Sequence, residues 1–580
     1  MMAGAWTATA GSSLLVGIVL LPFVAMLLGL LLGGRWLYRV ALGTLPFGLL
    51  LTLAIAERWA DGAKTPLLYV LGNWAPPLGI ALRADGAAVA MLVAVAGVVF
   101  AIGLFARADF APKPGEAETR SAFSYWLLLL AIWGALNLVF VSGDLFTLYV
   151  ALELLTFAGV PLVCLAGSGE TLRAALRYML FALFGSVLYL LGAVLLYGGY
   201  GTLDIPLLAS AVRPDSIARI ALALMTAGLL AKTALFPLHL WLPPAHGGAP
   251  AAASAVLSAL VIKGSWFLVL RLWFDVMPAV VTLPVAQLLA GLGASAIVVG
   301  SVVALRQERL KLLVAYSTMA QIGYLFLMFP LAFEDGRLVQ GPAMHAGILQ
   351  AISHATAKAG MFMAAGLVYA GMGHDRIADL AGAARTLPIT MLAFAVSGLA
   401  LMGVVPSGAY LSKKILLEAS VHSGQWWWTA VLQGGAVFTA AYLVLVVGSA
   451  LRQPATPLTG VKPVSKLSQW MALILAVSSL VIAFAANGLG NADLIKNPIA
   501  PDELIATLAI LLGGTVLAVG LARFSVLSGP SESPLRRLAM VPGVVFERLD
   551  AWMRRWTNAT LLLIFLAVVI VGLTRVGPAT

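Results

Sequence analysis

Ionisable side chains stand inside several long apolar stretches of this sequence. A lysine at the centre of a bilayer costs about 2.5–3.5 kcal/mol even on the lenient insertion scale, so such charges are rare and usually functional. Ammonium, imidazole and carboxylate groups are also the groups that take up and release protons. The six residues that we single out as an ion or proton path are Glu153, Lys232, Lys263, His354, Lys358 and Lys413.

The stretch 226–266 combines two of these lysines with a predicted helix break. Lys232 follows a long apolar run and precedes Pro237, which leaves the carbonyl of Thr233 without its helical partner. Bare backbone at membrane depth survives only when it is buried in protein or lines wet space. This pattern favours a polar path over the plainer alternative, a lysine that reaches the interface from a helix end.

Two further patterns place polar groups at membrane depth. Glu153 is the one acid, among 24 acidic residues, that we place in the middle of a span. It could serve structurally by pairing with a lysine, and such pairing is compatible with a functional role. Gln350, His354 and Lys358 are spaced i, i+4, i+8 and therefore share one helix face. A single histidine on the apolar face of a helix is more often a core residue with its hydrogen bonds satisfied. A histidine one helical turn from a buried lysine instead favours a polar path.

Pro406 and Lys413 repeat the combination of a proline break and a buried lysine. The order of the two residues is reversed relative to Lys232 and Pro237. Corresponding interruptions in two halves of a chain indicate an inverted-repeat transporter. We therefore expect two related blocks, each with a broken span.

The composition sets the class of protein. The 580 residues are 61% hydrophobic and only 10% charged, which excludes a soluble domain and predicts about sixteen spans of about 20 residues. The N-terminus lacks a basic region and a clear cleavage site, so we expect a retained first span. The single cysteine, Cys164, excludes iron–sulfur clusters and c-type haem, and no nucleotide-binding loop is present. We predict no cofactor and no metal site.

We interpret the formal charge of +11 as a result of the excess of Lys and Arg that cytoplasmic loops of membrane proteins carry. When the loop with Arg35 and Arg39 faces the cytoplasm, loops on that side collect about 21 Lys and Arg, against about 9 on the other side. This bias predicts both termini on the non-cytoplasmic side. We expect a bacterial cytoplasmic (inner) membrane and no nucleic-acid partner.

Four segments carry a resemblance to a known family: AKTALFPLHLWLPPAH, RLKLLVAYSTMAQIGY, SHATAKAGMFMAAG and DLAGAARTLPITMLAFAVSGLALMGVVPSGAYLSK. They resemble the antiporter-like family, which comprises the large proton-pumping membrane subunits of complex I (NADH:quinone oxidoreductase) and the A and D subunits of Mrp-type cation/proton antiporters. By motifs the chain is most similar to the D subunit of Mrp-type antiporters. The resemblance covers about 122 to 450 and implies an all-α polytopic membrane protein with two inverted five-helix repeats, each containing a broken helix, and a polar axis at the membrane midplane.

The resemblance also assigns residues to that polar axis. It matches Glu153 to the glutamate of the fifth helix, and Lys232 and Lys263 to lysines of the broken seventh and the eighth helix. It matches His354 and Lys358 to the eleventh helix and Lys413 to the broken twelfth. The sequence departs from the family where Gln350 replaces a histidine of some members and where Arg309 replaces a common acid.

These observations predict four segments and a function. The segments are N-terminal helices at 1–121, a first repeat at 122–275, a second repeat at 276–450 and a C-terminal extension at 451–580. In the extension, 533–556 has the pattern of an interfacial amphipathic helix. We expect a proton-translocating subunit of an Mrp-type sodium/proton antiporter, with other membrane subunits as partners. The alternatives are a proton-pumping subunit of a complex I-like oxidoreductase and an energising membrane partner of another system, such as inorganic-carbon uptake.

Overall fold

The computed structural model describes residues 6–62, 64–112, 119–454, 460–487, 501–527, 544–546, 548–549, 551–553 and 555–575. These residues form an all-α polytopic membrane protein with two short hairpins. The first part holds α1 (Ser13–Leu32), α2 (Arg35–Asp61), the antiparallel strands β1 (Leu67–Val70) and β2 (Ala81–Ala84), and α3 (Gly86–Phe110). Asp85 caps α3, its side chain accepting from the backbone N–H of Ala88.

The next part runs from α4 to a long composite helix. Its elements are α4 (Arg120–Val141), α5 (Leu145–Val163), α6 (Gly169–Tyr200), α7 (Ile205–Ala211), α8 (Ser216–Thr233), α9 (Leu242–Gly248), α10 (Ala251–Val256) and α11 (Ile262–Arg271). Two π-helical turns, Leu257–Val261 and Leu272–Val276, join and extend α10 and α11 into one helix, Ala251–Val276. A π turn interrupts the regular hydrogen-bond ladder of an α-helix and is frequent at functional sites.

The remaining elements complete the bundle. They are α12 (Leu283–Leu305), α13 (Leu310–Tyr324), α14 (Met328–Leu331), β3 (Phe333–Glu334), β4 (Arg337–Leu338), α15 (Pro342–Met372), α16 (Ala383–Thr386), α17 (Pro388–Met402), α18 (Gly408–His422), α19 (Trp426–Leu451), α20 (Lys466–Asn487), α21 (Pro501–Leu527) and α22 (Trp556–Leu573). The described part of the predicted amphipathic helix is helical at 544–546, 548–549 and 551–553. The rest of that prediction lies outside the described residues.

Among the described residues, thirteen helices are long and apolar enough to cross a membrane, or fourteen if a bent pair ending in α22 is one span. Three of the sixteen predicted spans do not meet this criterion of length and hydropathy. The polar residues of α15 dilute its hydropathy, α17 and α18 have 15 residues each, and α22 belongs to the bent pair. The count of sixteen therefore stays a prediction.

The interior of the bundle consists of the helices that carry the charged residues. All residues of Ala251–Val276 except Asp275 are buried, and nearly all of Leu310–Leu331 are, whereas about one residue in ten is buried in the most apolar part of Glu503–Leu521. Lys263 and Lys358 have no exposed surface. The charged residues thus lie away from lipid, as the cost of charge in hydrocarbon requires.

Both predicted helix breaks are present. Helix α8 ends at Thr233, and Ala234 takes a left-handed conformation before the chain continues into α9. Helix α17 ends at Met402, and Gly403 follows with φ +92° before α18 begins at Gly408. A side chain at Gly403 would be strained and would lie 3.2 Å from Cδ of Lys413, so this position favours glycine.

Candidate functional site

Lys232 ends inside a polar cluster built by three helices. Its Nζ donates to Oε1 of Glu153 on α5 at 3.4 Å, to Oγ1 of Thr156 at 2.9 Å and to Oγ of Ser186 on α6. Lys232 is buried, and the Glu153 side chain is 15% exposed. The ammonium therefore has a carboxylate and two hydroxyls as partners, which together replace its lost hydration.

The break after α8 is stabilised by an aromatic side chain. The indole N–H of Trp241 donates to the carbonyl of Ala231 at 3.0 Å, and the Trp241 ring stacks on Tyr178. The same carbonyl also accepts from the backbone N–H of Ala234 at 3.3 Å, so the indole is a second donor at the end of α8. This contact fixes the helix end directly beside Lys232.

A hydroxyl contact leads from the first break toward the centre. The hydroxyl of Thr233 contacts Oγ of Ser265 on α11 at 3.0 Å. Both side chains are buried, and Ser265 lies two residues beyond Lys263. The Lys232 region is therefore joined to the helix that carries the next lysine.

Lys263 and His354 form the central contact. Lys263 Nζ lies 2.5 Å from Nδ1 of His354 on α15 and 2.6 Å from the carbonyl oxygen of Ser258. Ser258 belongs to the π turn Leu257–Val261, and its carbonyl accepts from a side chain five residues ahead. The π turn thus supplies a backbone acceptor for a buried ammonium.

Lys358 lies one helical turn after His354. Its Nζ donates to Oγ of Ser317 at 2.5 Å and to the carbonyl of Val314 at 3.2 Å, both on α13. The predicted shared face of Gln350, His354 and Lys358 is present, and all three residues are buried. The hydroxyl and the carbonyl that bind Lys358 are both neutral, in contrast to the carboxylate beside Lys232.

Lys413 occupies the second break. Its Nζ donates to the carbonyls of Leu401 and Met402 at 3.2 and 2.9 Å and lies 4.5 Å from the centre of the Tyr324 ring. These are the last carbonyls of α17, where the helix dipole favours a cation. An amide chain connects this site to α15, since Gln350 donates to Gln321, which in turn donates to the Leu401 carbonyl, each at 3.5 Å.

A second buried charge cluster lies near the start of α3. Arg271 donates to both carboxylate oxygens of Asp85 and to Asp275, which also accepts from Gln340 at 2.7 Å. Burial raises the pKa of Asp85, but the guanidinium of Arg271 outweighs this effect and holds that pKa at about 2. The sequence reasoning missed this cluster, although Asp85 near the start of a span and Arg271 within an apolar helix were signals of it.

The structure brings the six predicted residues into two contacts and two separate lysine sites. Glu153 pairs with Lys232, Lys263 contacts His354, and Lys358 and Lys413 each have their own neutral partners. Their roles stay predictions. The sequence reasoning missed Ser186, whose hydroxyl binds Lys232 from α6. Among the described residues, no group of three or more His, Cys, Asp or Glu side chains is placed to hold a metal ion.

Comparison with known proteins identifies the family. The family model described as "NADH:quinone oxidoreductase/Mrp antiporter, TM" matches residues 142–439, slightly more than half of the chain. The chain belongs to this family. The predicted resemblance is therefore confirmed, and the match contains all six predicted residues.

Relatives within the NADH:quinone oxidoreductase/Mrp antiporter family include subunits of oxidoreductases and subunits of antiporters. NADH-quinone oxidoreductase subunit N of Desulforudis audaxviator is 34% identical over 504 residues, which cover 83% of this chain and 97% of the relative. The D subunit of the Na(+)/H(+) antiporter of Alkalihalophilus pseudofirmus is 30% identical over 411 residues, 69% of this chain and 79% of the relative. A chain of the Mrp complex from Dietzia sp. DQ12-45-1b shares the fold, with a TM-score of 0.72 at 22% identity, over 87% of this chain and 97% of that one.

Proposed function

We propose that this chain conducts protons through its membrane as a subunit of a larger ion-pumping complex. The observation that carries the proposal is the series of buried lysine amino groups from Lys232 to Lys413, which alternate with hydroxyl, imidazole and amide groups. A structural scaffold gains nothing from several buried amines, because each one costs insertion energy. A proton path requires such groups at short intervals.

The pair of Glu153 and Lys232 begins the transfer. When ionised Glu153 lies close, it stabilises Lys232 as the ammonium, and when the two separate, burial favours the neutral amine. One pK unit corresponds to about 1.4 kcal/mol, so making or breaking one such pair is enough to release a proton toward Lys263. From there the path continues through His354 and Lys358 to Lys413.

The repeat organisation belongs to this proposal. We assign the first repeat to 122–275 and the second to 276–450, with the breaks after α8 and α17 in corresponding places. In support, a buried lysine lies at each break. The N-terminal helices at 1–121 and the extension at 451–580 flank these repeats. We place both termini on the non-cytoplasmic side of a bacterial inner membrane.

Two kinds of parent complex are proposed first, and an energising partner of another system is the further alternative. An Mrp-type sodium/proton antiporter, with this chain in the place of the D subunit, and a complex I-like oxidoreductase both fit, and the relatives named above do not favour one over the other. Co-expression with the neighbouring genes and purification of the resulting complex discriminates between them. Sodium-dependent proton movement supports the antiporter, and proton movement driven by quinone reduction supports the oxidoreductase. The same complex driving only bicarbonate uptake would support the energising-partner alternative.

Substitution of the first pair tests the function itself. We expect Glu153→Ala and Lys232→Ala each to abolish proton translocation in vesicles while the complex still assembles, because the buried partner that remains can become neutral by losing or gaining a proton. Glu57→Ala, on an exposed part of α2, is the matched control and should pump normally. Near-normal pumping by either paired variant, at verified protein levels, would refute the relay.

A further inference from the structure

The helix that carries Lys413 holds a second line of ionisable residues on another face. Lys414, Glu418 and His422 follow one another at i, i+4, i+8 on α18, so they lie along one face over about 12 Å of helix. Lys413 points to the carbonyls that end α17, whereas Lys414 binds elsewhere. The line therefore begins beside the last buried lysine and runs to the end of the helix.

Lys414 is paired with a carboxylate from the C-terminal extension. Its Nζ lies 2.6 Å from Oε1 of Glu503, the third residue of α21, and 5.9 Å from the centre of the Tyr410 ring. The side chain of Lys414 is 31% exposed and that of Glu503 is 21% exposed. Glu503 lies beyond the family match, which ends at 439, so the extension supplies this carboxylate. The pair thus lies at the residue that follows Lys413 in the chain, with Lys414 directed to Glu503 on α21 and Lys413 directed to the end of α17.

The other end of the line opens into a cavity. A cavity of about 780 Å³ lies between the end of α18, the β3–β4 hairpin and the start of α19, and both Glu418 and His422 line it. Both of these side chains are exposed. Helical neighbours at i and i+4 have Cβ atoms about 5–6 Å apart, so their side chains can approach each other directly or through one water. The cavity therefore gives solvent access to a run of groups that ends at Lys414.

We propose that His422, Glu418 and the pair of Lys414 and Glu503 form the path by which protons pass between this cavity and Lys413. The proposal rests on the proposed function and adds its terminal residues. Each step moves one proton between neighbouring groups, and no other bond forms or breaks. Glu503 also neutralises Lys414, so that its charge does not oppose an ammonium at Lys413.

Proton translocation by the reconstituted complex tests this path. We expect Glu418→Gln and His422→Gln to lower the rate at least about tenfold, since each removes a proton-transfer group. Glu503→Gln should act in the same direction. Glu334→Gln is the matched control, because Glu334 lines the same cavity from the hairpin and not from the helix face. It should retain the wild-type rate.

Chemical rescue separates transfer from a structural role. Imidazole added on the side of the cavity should restore much of the rate of Glu418→Gln and His422→Gln, because a small buffer replaces the missing proton carrier. A loss of rate that imidazole does not relieve would show a structural role and overturn the path. Wild-type rates in both variants, with Glu153→Ala inactive in the same preparation, would overturn the path and leave the proposed function intact. An active Glu153→Ala would overturn both.

Discussion

The ammonium nitrogen of Lys263 lies 2.5 Å from Nδ1 of His354, although 91 positions separate the two residues. An ammonium group only donates hydrogen bonds, so Nδ1 accepts while Lys263 is charged and the imidazole proton resides on Nε2. Nε2 of His354 is buried and has no hydrogen-bond partner among the residues that the structure describes. A proton can therefore reside on either side of this contact, which joins the two proposed repeats.

The first prediction concerns His354→Gln. Glutamine can still accept a hydrogen bond from Lys263, but it cannot take the proton, so the contact survives and the transfer stops. We expect proton translocation in vesicles to fall about a hundredfold, with the complex assembled. His345→Gln is the matched control on the same helix, since His345 is exposed. A wild-type rate for His354→Gln would remove the imidazole from the path.

The second prediction concerns Lys232→Arg. Arginine keeps the positive charge, and with it the attraction to Glu153, but does not deprotonate at accessible pH. If Lys232 releases its proton in each cycle, this variant should translocate no protons although it assembles normally. Retained translocation would instead make Lys232 a fixed electrostatic element.

The third prediction concerns the crossing of α6 and α8. A Cβ at Gly185 would lie 2.6 Å from the carbonyl oxygen of Gly228 and 3.1 Å from Cγ of Lys232. Gly185→Ala must therefore push α8 away and separate Lys232 from Ser186, at a cost of about 1–3 kcal/mol in stability. We expect a lower unfolding temperature and slower translocation. Gly198→Ala on the same helix meets nothing within 4 Å and should change neither.

The fourth prediction concerns Asp85→Asn. The pKa of Asp85 is about 2 in the folded chain, against an ordinary value of 3.8, so the carboxylate stabilises the folded state by about 2 kcal/mol above pH 4. This contribution is lost as the pH falls from 4 through 2. At pH 7 the variant should unfold at a lower temperature than the wild type, and the difference should shrink below pH 4. Thermal unfolding of the detergent-purified complex measures both, with the exposed Asp61→Asn as control. A difference that does not change with pH would show that the carboxylate charge is not the cause.

Several features of the site could be predicted from the sequence because they depend on local rules. A charge in an apolar environment is costly, so Lys232 was predicted to be buried in protein and not exposed to lipid. Pro237 lacks a backbone donor, so a helix break was predicted beside Lys232. The helical period placed Gln350, His354 and Lys358 on one face. These arguments need no knowledge of which helices are neighbours.

The partners of these groups were decided by the tertiary structure. Ser186 also donates to the carbonyl of Ala182 one turn earlier, as serines in apolar helices commonly do, so its sequence context shows no sign that Lys232 binds it. Lys414 meets Glu503 across 89 positions, and nothing local to either residue specifies the other. The sequence alone determined that lysines within long apolar runs, such as Lys232 and Lys263, are buried, because burial of these residues follows from the apolar residues around them. Which groups those charges contact depended on how the helices pack, because hydrogen bonds act over about 3 Å and only packing sets such distances.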